Sequence, residues 1–212
     1  MCKPALCNRE YNREYIIANG RGLGYLFSMV SQEGFIRRVV PMHEKNSHCS
    51  YCGTRFADGA PWPRRCPACS NTSYLNPLPV AVVLQPVGEG LVVIRRNIEP
   101  RKGTLTLPGG YIDCGETWQE AARRELFEET GIDAGDEGDF TLFDVLNGFD
   151  DTLVIFGLSP PRPGGSLQPF SSPETQEVCL IDRPVELGFP MHTEVVARYF
   201  RSLFSHSTPL PS

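Results

Sequence analysis

The sequence lacks a segment that spans a membrane. Its N-terminal apolar stretch, residues 15–30, is interrupted by Asn19, Arg21 and several glycines, and is too short and too polar to cross a bilayer. Glu10 and Glu14 precede this stretch and no small-residue cleavage site follows it, so the layout of a secretory signal is missing as well. We therefore expect a cytoplasmic protein with no membrane partner.

An excess of positive charge is also lacking. The 212 residues carry 20 Lys and Arg against 25 Asp and Glu, which gives a formal net charge of -5. Such a chain does not attract nucleic acid phosphates as a whole, so an extended nucleic acid partner is disfavoured. Apolar residues make up 41% of the sequence, enough to bury a core, and this favours a globular protein over a disordered one.

Four of the eight cysteines form two Cys-x-x-Cys pairs, Cys49 with Cys52 and Cys66 with Cys69, and thirteen residues separate the pairs. Two such pairs in a reducing compartment are typical of metal ligands rather than of a disulfide scaffold. Four thiolates bind zinc as a tetrahedron, and Gly53 suits the tight turn after the first pair. A redox site needs only one pair. The sequence therefore predicts a structural zinc ion in a small ribbon.

Other candidate metal ligands lie near these pairs or elsewhere in the chain. His43 and His48 are close enough in sequence to replace a cysteine, although solvent exposure is their expected state. Cys114 and Cys179 have no partner at metal-ligand spacing, and we interpret them as packed or incidental thiols.

From residue 77 onward, short apolar runs alternate with clusters of Gly, Asp and Pro. The runs at 80–83 and 91–94 flank Gly88-Glu89-Gly90, which predicts a hairpin of buried strands. Further strands of a mixed sheet are expected at residues 140–146, 152–158 and 177–181. Apolar residues at helical spacing predict a helix over residues 192–204.

Four segments follow from these patterns. Residues 1–41 form an N-terminal extension whose structure cannot be read from the sequence, 42–76 the zinc ribbon, 77–204 the main domain and 205–212 a flexible tail.

Local signals define another helix, from about residue 118 to residue 130. Thr117 and Glu120 have the spacing of a capping box, and Gly131 suits a left-handed helix end. Each residue of a helix turns by about 100° around the axis. On this basis the face that begins with Trp118 is apolar in its first turns, and three acids continue the same face toward the C-terminal end. These acids are Glu125, Glu128 and Glu129.

Such a cluster is unfavourable in an isolated helix. Like charges at these spacings cost roughly 0.2 to 0.5 kcal/mol per pair, and acids at the negative end of the helix dipole add roughly 0.3 to 1 kcal/mol each. A divalent cation offsets both costs, and hard oxygen ligands of this kind suit magnesium. The cluster therefore predicts a site for a divalent cation.

These residues resemble the Nudix box: Gly110, five residues, Glu116, seven residues, then Arg-Glu-hydrophobic-x-Glu-Glu-x-Gly-hydrophobic at 124–132. The preceding Leu-Pro-Gly-Gly at 107–110 resembles the usual lead-in to that box. The resemblance covers roughly residues 79–204. It implies an α/β fold, an α/β/α sandwich with a mixed sheet, which here follows a small zinc ribbon.

The resemblance also implies roles for single residues. Magnesium or manganese would be bound by carboxylates and one carbonyl, those of Glu125, Glu128, Glu129 and Gly110. Arg124 would orient a glutamate and Glu116 would brace the loop. The general base in this family is either the first glutamate after the arginine, here Glu125, or an acid outside the box. Glu174 and Glu177 are the outside candidates, and the sequence leaves the choice open.

A zinc ribbon before a Nudix box resembles the NADH pyrophosphatase subgroup and its relatives that act on ADP-ribose or FAD. The Ser-Gln-Pro-Trp-Pro-Phe-Pro-x-Ser array that marks NADH pyrophosphatases is absent, because residues 140–146 read Phe-Thr-Leu-Phe-Asp-Val-Leu. Leu105 also stands where many members have tryptophan. We expect metal-dependent hydrolysis of the pyrophosphate bond in a nucleoside diphosphate linked to another moiety, such as ADP-ribose, FAD or an NAD(H)-like compound.

Two alternatives remain. One is a Nudix-fold module that binds a ligand or nucleic acid without catalysis, although such sensors usually lose acids of the box. The other is an RNA cap hydrolase, which would show salt-sensitive RNA binding. A small-molecule nucleotide is the expected partner, and a homodimer is left open.

Overall fold

A computed structural model describes residues 44–135, 139–148 and 150–205. The expected N-terminal extension, residues 1–41, lies outside these ranges, as does all of the expected tail except residue 205. The chain divides into two compact units, with the boundary between Leu75 and Asn76. No helix within the described ranges combines the length and the apolar content that crossing a membrane would need.

The described part of the first unit, residues 44–75, contains one small sheet and a very small core. Strands β1 (Arg64–Arg65) and β2 (Thr72–Ser73) pair antiparallel. Its buried apolar cluster consists of Cys49, Phe56 and Cys66, with Trp62 and Cys69 packed against it. Two of the three buried members are cysteines, so apolar packing alone contributes little here and a metal ion is the expected source of stability.

Eight strands and two helices lie in the described residues of the second unit. In chain order they are β3 (Leu78–Leu84), β4 (Pro86–Val87), β5 (Gly90–Arg96), β6 (Leu105–Thr106), β7 (Gly109–Tyr111), α1 (Trp118–Thr130), β8 (Thr141–Asn147), β9 (Thr152–Leu158), β10 (Thr175–Ile181) and α2 (Pro190–Ser205). One sheet has the order β7-β3-β9-β8 and is mixed, because β3 and β9 are parallel. In the other sheet, β5 pairs antiparallel with β10, β4 and β6. The expected mixed sheet is confirmed, but the strands are shared between two sheets.

The predicted hairpin is correct at its turn and wrong in its strand pairing. The chain changes sheets at Gln85, so that β3 joins the mixed sheet while β4 pairs with the start of β5. Gly88 takes a φ of 58° in the turn between β4 and β5. The buried Gln85 stabilises the crossover, since its Nε2 donates to the carbonyls of Pro86 at 2.9 Å and Pro160 at 3.0 Å.

Strand β3 is buried on both faces and separates two apolar cores. Ala81 and Val83 belong to the core that includes α1, whereas Val82 and Leu84 belong to the core that includes α2. Successive side chains of a strand point to opposite faces, so this alternation puts the two helices on opposite sides. The result is the α/β/α sandwich that the sequence predicted.

Candidate active site and metal centre

The four cysteines of the two predicted pairs converge in the first unit. All four sulfur atoms lie within 4.8 Å of one another. The Sγ atoms of Cys49 and Cys69 are 3.7 Å apart, and those of Cys52 and Cys66 are 3.6 Å apart. A tetrahedron with zinc to sulfur distances of about 2.3 Å has edges of about 3.8 Å. The sulfur positions therefore fit a zinc ion with four protein ligands.

Two similar turns aim these sulfur atoms. The Gly53 N–H donates to the Cys49 carbonyl at 3.0 Å, and the Ser70 N–H donates to the Cys66 carbonyl at 2.9 Å. Gly53 has a φ of 74° and Ser70 a φ of 61°. The predicted role of Gly53 as the turn residue is confirmed, and a serine takes the same left-handed conformation after the second pair.

The environment of Cys49 favours the thiolate that binds a metal. The backbone N–H of Tyr51 points to its sulfur at 3.5 Å and is the main reason that the pKa of Cys49 falls to about 6. The alternative ligand His48 instead has its Nδ1 2.8 Å from the Ser47 hydroxyl. His43 lies outside the described residues.

Helix α1 begins and ends where the sequence predicts. The Thr117 hydroxyl accepts from the Glu120 N–H at 3.2 Å, and the Glu120 carboxylate accepts from the Thr117 N–H at 2.6 Å. Gly131 has a φ of 71° and its N–H donates to the Phe127 carbonyl at 2.8 Å. Buried Ala121, Ala122 and Leu126 pack against the sheet. This packing brings the acidic end of the helix beside β7.

Glu129 is a buried carboxylate at that end. It is only 3% exposed, and its Oε2 accepts the N–H of Gly109 at 2.8 Å. The pKa of Glu129 is raised to about 8, mainly by burial and also by the negative charges of Glu125 and Glu174, while the Gly109 N–H and the positive charge of Arg96 act against this shift. Gly109 approaches β3 so closely that a Cβ there would overlap the carbonyl of Ala81.

Glu125 lies directly against the backbone of Gly110. A Cβ at Gly110 would overlap the Glu125 carboxylate, so only glycine permits this contact. Burial raises the pKa of Glu125, and its ion pair with Arg124 partly opposes that shift. The side chain of Glu128, in contrast, is 57% exposed. The three predicted acids therefore share one helix end but differ in burial.

Arg124 connects the acids of the box. Its Nε and Nη2 donate to the two carboxylate oxygens of Glu116 at 2.7 and 2.8 Å, and Nη1 donates to Glu125 at 2.7 Å and Glu128 at 3.2 Å. Nη2 also donates to the Tyr111 carbonyl at 3.0 Å. The Arg124 hydrogen bonds hold the pKa of Glu116 at about 2. The residues predicted to orient and brace the site are thus brought together.

These residues fit a divalent cation. Among the described residues, the cysteines are the group whose ligand atoms already converge. At the end of α1, Arg124 Nη1 donates to both Glu125 and Glu128. The donors at this helix end are nevertheless hard oxygens, which magnesium and manganese accept together with water. Glu129 adds a buried acid with a raised pKa. A bound cation would lower that pKa, because it favours the charged form of the carboxylate.

The structure separates the two acids outside the box. The Glu177 carboxylate is 2.6 Å from Arg95, its register partner on β5, and Arg95 shares a face with Val93 of the α2 core. The negative charge of Glu174, in contrast, raises the pKa of both Glu125 and Glu129. The charge of Glu174 thus acts on two acids of the box, whereas the Glu177 carboxylate is engaged by Arg95.

Two further residues near the site were not found by sequence reasoning. The positive charge of Arg96 acts on Glu129 and on the buried His192. His192 accepts the Leu107 N–H at its Nδ1, 3.3 Å away, and burial lowers its pKa to about 3, so it is neutral. This hydrogen bond fixes the backbone at Leu107, two residues before Gly109. No local pattern signals these contacts, because they join residues far apart in the chain; Leu107 and His192 are 85 positions apart.

Comparisons with known proteins agree with this geometry. The family model of the NUDIX domain matches residues 76–201. An ADP-ribose pyrophosphatase of Methanocaldococcus jannaschii is 41% identical over 59 residues, which are 28% of this chain and 35% of that protein. The NAD-capped RNA hydrolase NudC of Edwardsiella ictaluri is 32% identical over 96 residues, 45% of this chain and 37% of that protein. The matches thus span about a third of these relatives.

A solved structure supports the fold. A NUDIX hydrolase from Nitrosomonas europaea superposes with a TM-score of 0.59 at 22% identity, over 78% of this chain and 96% of that one. At this identity the likeness shows the fold alone. The box, the fold and the match to more than half of the chain lead to one conclusion: this chain belongs to the NUDIX family.

Proposed function

We propose that this chain is a metal-dependent hydrolase of the pyrophosphate bond in a nucleoside diphosphate linked to another moiety. ADP-ribose, FAD and NAD(H)-like compounds are the candidate substrates. The observation that carries this proposal is the pair of acids Glu125 and Glu129, one turn apart on α1. Glu129 is buried and accepts the Gly109 N–H, and the partly buried carboxylate of Glu125 lies against Gly110. Similarity to the ADP-ribose pyrophosphatase of M. jannaschii supports it.

The metal would be magnesium or manganese, held by Glu125, Glu128 and Glu129 with the carbonyl of Gly110. Such an ion, when bound, withdraws charge from diphosphate oxygens and lowers the pKa of a water molecule. Arg124 keeps the Glu125 carboxylate in place. Glu116 braces the loop, since its Oε2 accepts the Asp113 N–H at 3.0 Å while both its oxygens accept from Arg124.

The reaction is attack of water on one phosphorus, with cleavage of the bond from that phosphorus to the bridging oxygen. A carboxylate oxygen takes the proton that water loses. Glu125 is one candidate for this role, because its carboxylate lies against Gly110 at the acidic end of α1. Glu174 is the alternative base. Glu177 is a weaker candidate because its ion pair with Arg95 lowers its pKa.

The proposal assigns residues 42–76 to a structural zinc ribbon and residues 77–204 to catalysis. The intact set of acids at Glu125, Glu128 and Glu129 favours an enzyme over a ligand-binding module. A cytoplasmic location and a small-molecule nucleotide substrate complete the assignment, and a homodimer remains open.

A substrate panel tests this proposal. ADP-ribose, FAD and NADH are each incubated with the full chain and millimolar magnesium, and products are separated by chromatography. We expect AMP together with the second phosphorylated moiety from at least one substrate, and no product when a chelator removes magnesium. Absence of turnover for the whole panel would defeat the proposal.

Removal of a nucleotide cap from RNA is the second candidate, because the NudC relatives are named as NAD-capped RNA hydrolases. This would be the same phosphorus chemistry on a larger substrate. NAD-capped RNA and free NAD are compared at rising salt. A rate advantage for the RNA that disappears with salt would favour cap removal, whereas equal rates would favour the small molecule.

A further inference from the structure

The charged residues of the chain divide unevenly between its two units. Residues 1–75 carry ten Lys and Arg against five Asp and Glu, whereas residues 76–212 carry ten against twenty. The formal charge is therefore +5 for the first unit and -10 for the second. Within the described part of the first unit, residues 44–75, four basic residues stand against two acids. The first unit alone has the charge that attracts a polyanion.

Two arginines of the ribbon keep an uncompensated charge. Arg55 is paired with Asp58 at 3.1 Å, whereas no carboxylate of the described residues pairs with Arg64 or Arg65. The Nε of Arg64 donates to a backbone carbonyl at 2.7 Å, and its guanidinium carbon lies 4.3 Å from the centre of the Trp62 ring. Arg64 is thus held within the ribbon, while the exposed Arg65 is available to an anion.

The ribbon also exposes two aromatic rings. Tyr51 is 65% exposed and Tyr74 is 66% exposed, more than any other large apolar side chain in the described ranges. A unit whose apolar core has three buried residues thus leaves two large rings in water. Exposed apolar groups of this size with polar neighbours mark a binding surface. A tyrosine ring offers a flat face on which another flat ring can stack.

Hydrogen bonds between two serines hold the tyrosines near each other. The Oγ atoms of Ser50 and Ser73 are 3.0 Å apart, and the Ser50 N–H donates to the Ser73 Oγ at 3.3 Å. Tyr51 and Tyr74 each follow one of these serines directly. Because consecutive Cα atoms are about 3.8 Å apart, the Cα atoms of the tyrosines lie within about 15 Å of each other. One short oligomer can therefore reach both rings.

Arg65 shares a face with Tyr74. Arg65 is the register partner of Thr72 on β2, so their side chains lie on the same side of the hairpin. Ser73 takes the opposite side, where its Oγ is 3.9 Å from the Cys49 sulfur. Since side chains alternate along an extended chain, Tyr74 returns to the side of Thr72 and points away from the cysteines. A positive charge and an aromatic ring thus meet on the solvent side of the ribbon.

We propose that the surface that carries Tyr51, Arg65 and Tyr74 binds single-stranded nucleic acid. Unstacked bases lie on the tyrosine rings, and Arg65 pairs with a phosphate of the backbone. Basic surfaces with aromatic side chains bind single strands in this way with little regard to sequence. Screening in salt of about 0.1 M limits the reach of the acidic second unit to about 10 Å. This binding is separate from the proposed hydrolysis, since it does not involve the acids of α1.

Anisotropy titrations test the two tyrosines. A fluorescent oligouridylate of about twelve nucleotides is titrated with the zinc-loaded full chain in salt of about 0.1 M, without magnesium. Tyr51→Ala and Tyr74→Ala should each raise the Kd about fivefold or more, because loss of a stacked base has effects of that order, and Tyr74→Phe should keep the wild-type Kd. Phe127→Ala is the matched control, a ring 56% exposed in the second unit, and should not change the Kd. An unchanged Kd in both tyrosine-to-alanine variants would overturn the proposal.

The salt dependence of the same titration tests Arg65. The Kd is measured between about 0.05 and 0.2 M salt. Arg65→Ala should reduce the slope of log Kd against log salt concentration by about 0.7, the value for one phosphate contact in a single strand. Arg183→Ala removes the same charge from an exposed position of the second unit and should leave the slope unchanged. Equal slopes for wild type and Arg65→Ala would contradict the phosphate contact.

The form of the nucleic acid separates stacking from simple charge attraction. Oligothymidylate should bind as well as oligouridylate, because stacking on a ring does not need the 2′-hydroxyl group. A duplex of the same length should bind more weakly, since its bases are already stacked on one another. A duplex that binds as tightly as the single strands would overturn the proposal.

NMR locates the bound strand, and zinc analysis of each variant shows that the ribbon has folded. Oligouridylate added to the isotope-labelled full chain should shift the amide signals of residues 50–52 and 72–75. Shifts confined to residues 76–212, or no shifts at all, would overturn the proposal. The oligonucleotide contains no pyrophosphate, so its binding and the turnover of dinucleotides succeed or fail independently.

Discussion

The sulfur atoms of the zinc ribbon and the carboxylates of α1 are both candidate ligand sets, but their protein surroundings differ. In the ribbon, sulfur atoms of different pairs are already 3.6 to 3.7 Å apart. At the end of α1, Arg124 lies between Glu125 and Glu128, while Glu129 is tied to the Gly109 N–H. The ribbon thus presents a closed ligand set, and the helix presents acids that are stabilised by protein partners.

The difference reflects what each metal does. Four thiolates fill the coordination of zinc, so that site stabilises a segment with a core of three buried residues and offers no open position. Carboxylates leave positions for water and phosphate oxygens, which catalysis requires. The cysteine site thus completes a fold, whereas the carboxylates of α1 suit a metal that takes part in a reaction.

Removal of zinc should have the largest effect, confined to the ribbon. A structural zinc ion contributes on the order of 10 kcal/mol or more to the folding of a small unit. We expect chelation, or Cys66→Ser, to remove amide protection from residues 49–69 and to leave the second unit protected, as measured by hydrogen exchange. Cys114→Ser is the control, since this exposed cysteine is not part of the cluster. Uniform protection after metal loss would contradict the comparison.

Loss of one acid should act on catalysis without unfolding the protein. Glu128 is largely exposed, so Glu128→Gln should leave the thermal midpoint within about 2 °C. Because a metal ligand is lost, kcat for the best panel substrate should fall about a hundredfold or more. Glu194→Gln, at an exposed position of α2, should change neither quantity. Near-normal turnover in Glu128→Gln would remove Glu128 from the ligand set.

A substitution at the C-terminal end of α1 should have a smaller effect, a loss in the free energy of unfolding. Gly131→Ala should cost about 1 kcal/mol for the left-handed backbone and about 1 to 3 kcal/mol more for displacing the Phe170 ring, which lies against Gly131. Gly135→Ala is the matched control, because Gly135 has a φ of 77° but nothing near its Cβ position. Chemical denaturation measures both. Equal losses would show that Phe170 does not restrict this position.

The smallest expected effect is the pH-dependent loss of stability when Glu116 is replaced. Its direction follows from the lowered pKa of the Glu116 carboxyl group. The pKa of Glu116 is about 2 in the folded chain, against an ordinary value of 4.5. Its ion pair with Arg124 therefore stabilises the fold above about pH 4.5 and ceases to do so as the pH falls toward 2. Glu116→Gln should be less stable than wild type at pH 7 and equal to it near pH 2, by denaturant titration. A constant difference across that range would contradict this account.

Helix α1 was predictable residue by residue because its signals are local. The capping box at Thr117 and the stop at Gly131 act within one turn of each end. Strand β9 was likewise bounded correctly by its flanking polar residues. The parallel pairing of β3 with β9 was not predictable, since it joins segments about 70 residues apart in register. The hairpin prediction failed for this reason, as β3 found its partner far along the chain.

The same distinction applies to the site. The acidic cluster follows from helical spacing, and the arginine brace from the resemblance to the box, whereas the burial of each acid follows from neither. Sequence reasoning treated Glu174 and Glu177 alike; Arg95, more than 80 residues away from Glu177 in the chain, separates them. The neutral His192 behind Leu107 is another long-range contact that no spacing reveals.

The most direct measurement is a manganese soak of crystals of the full chain, with a non-hydrolysable ADP-ribose analogue present and anomalous scattering recorded. Manganese should appear beside the carboxylates of Glu125 and Glu129 and the carbonyl of Gly110, and should be lost in Glu129→Gln. If that end of α1 holds no cation at millimolar manganese, the acids do not form a metal site and the hydrolase assignment is wrong.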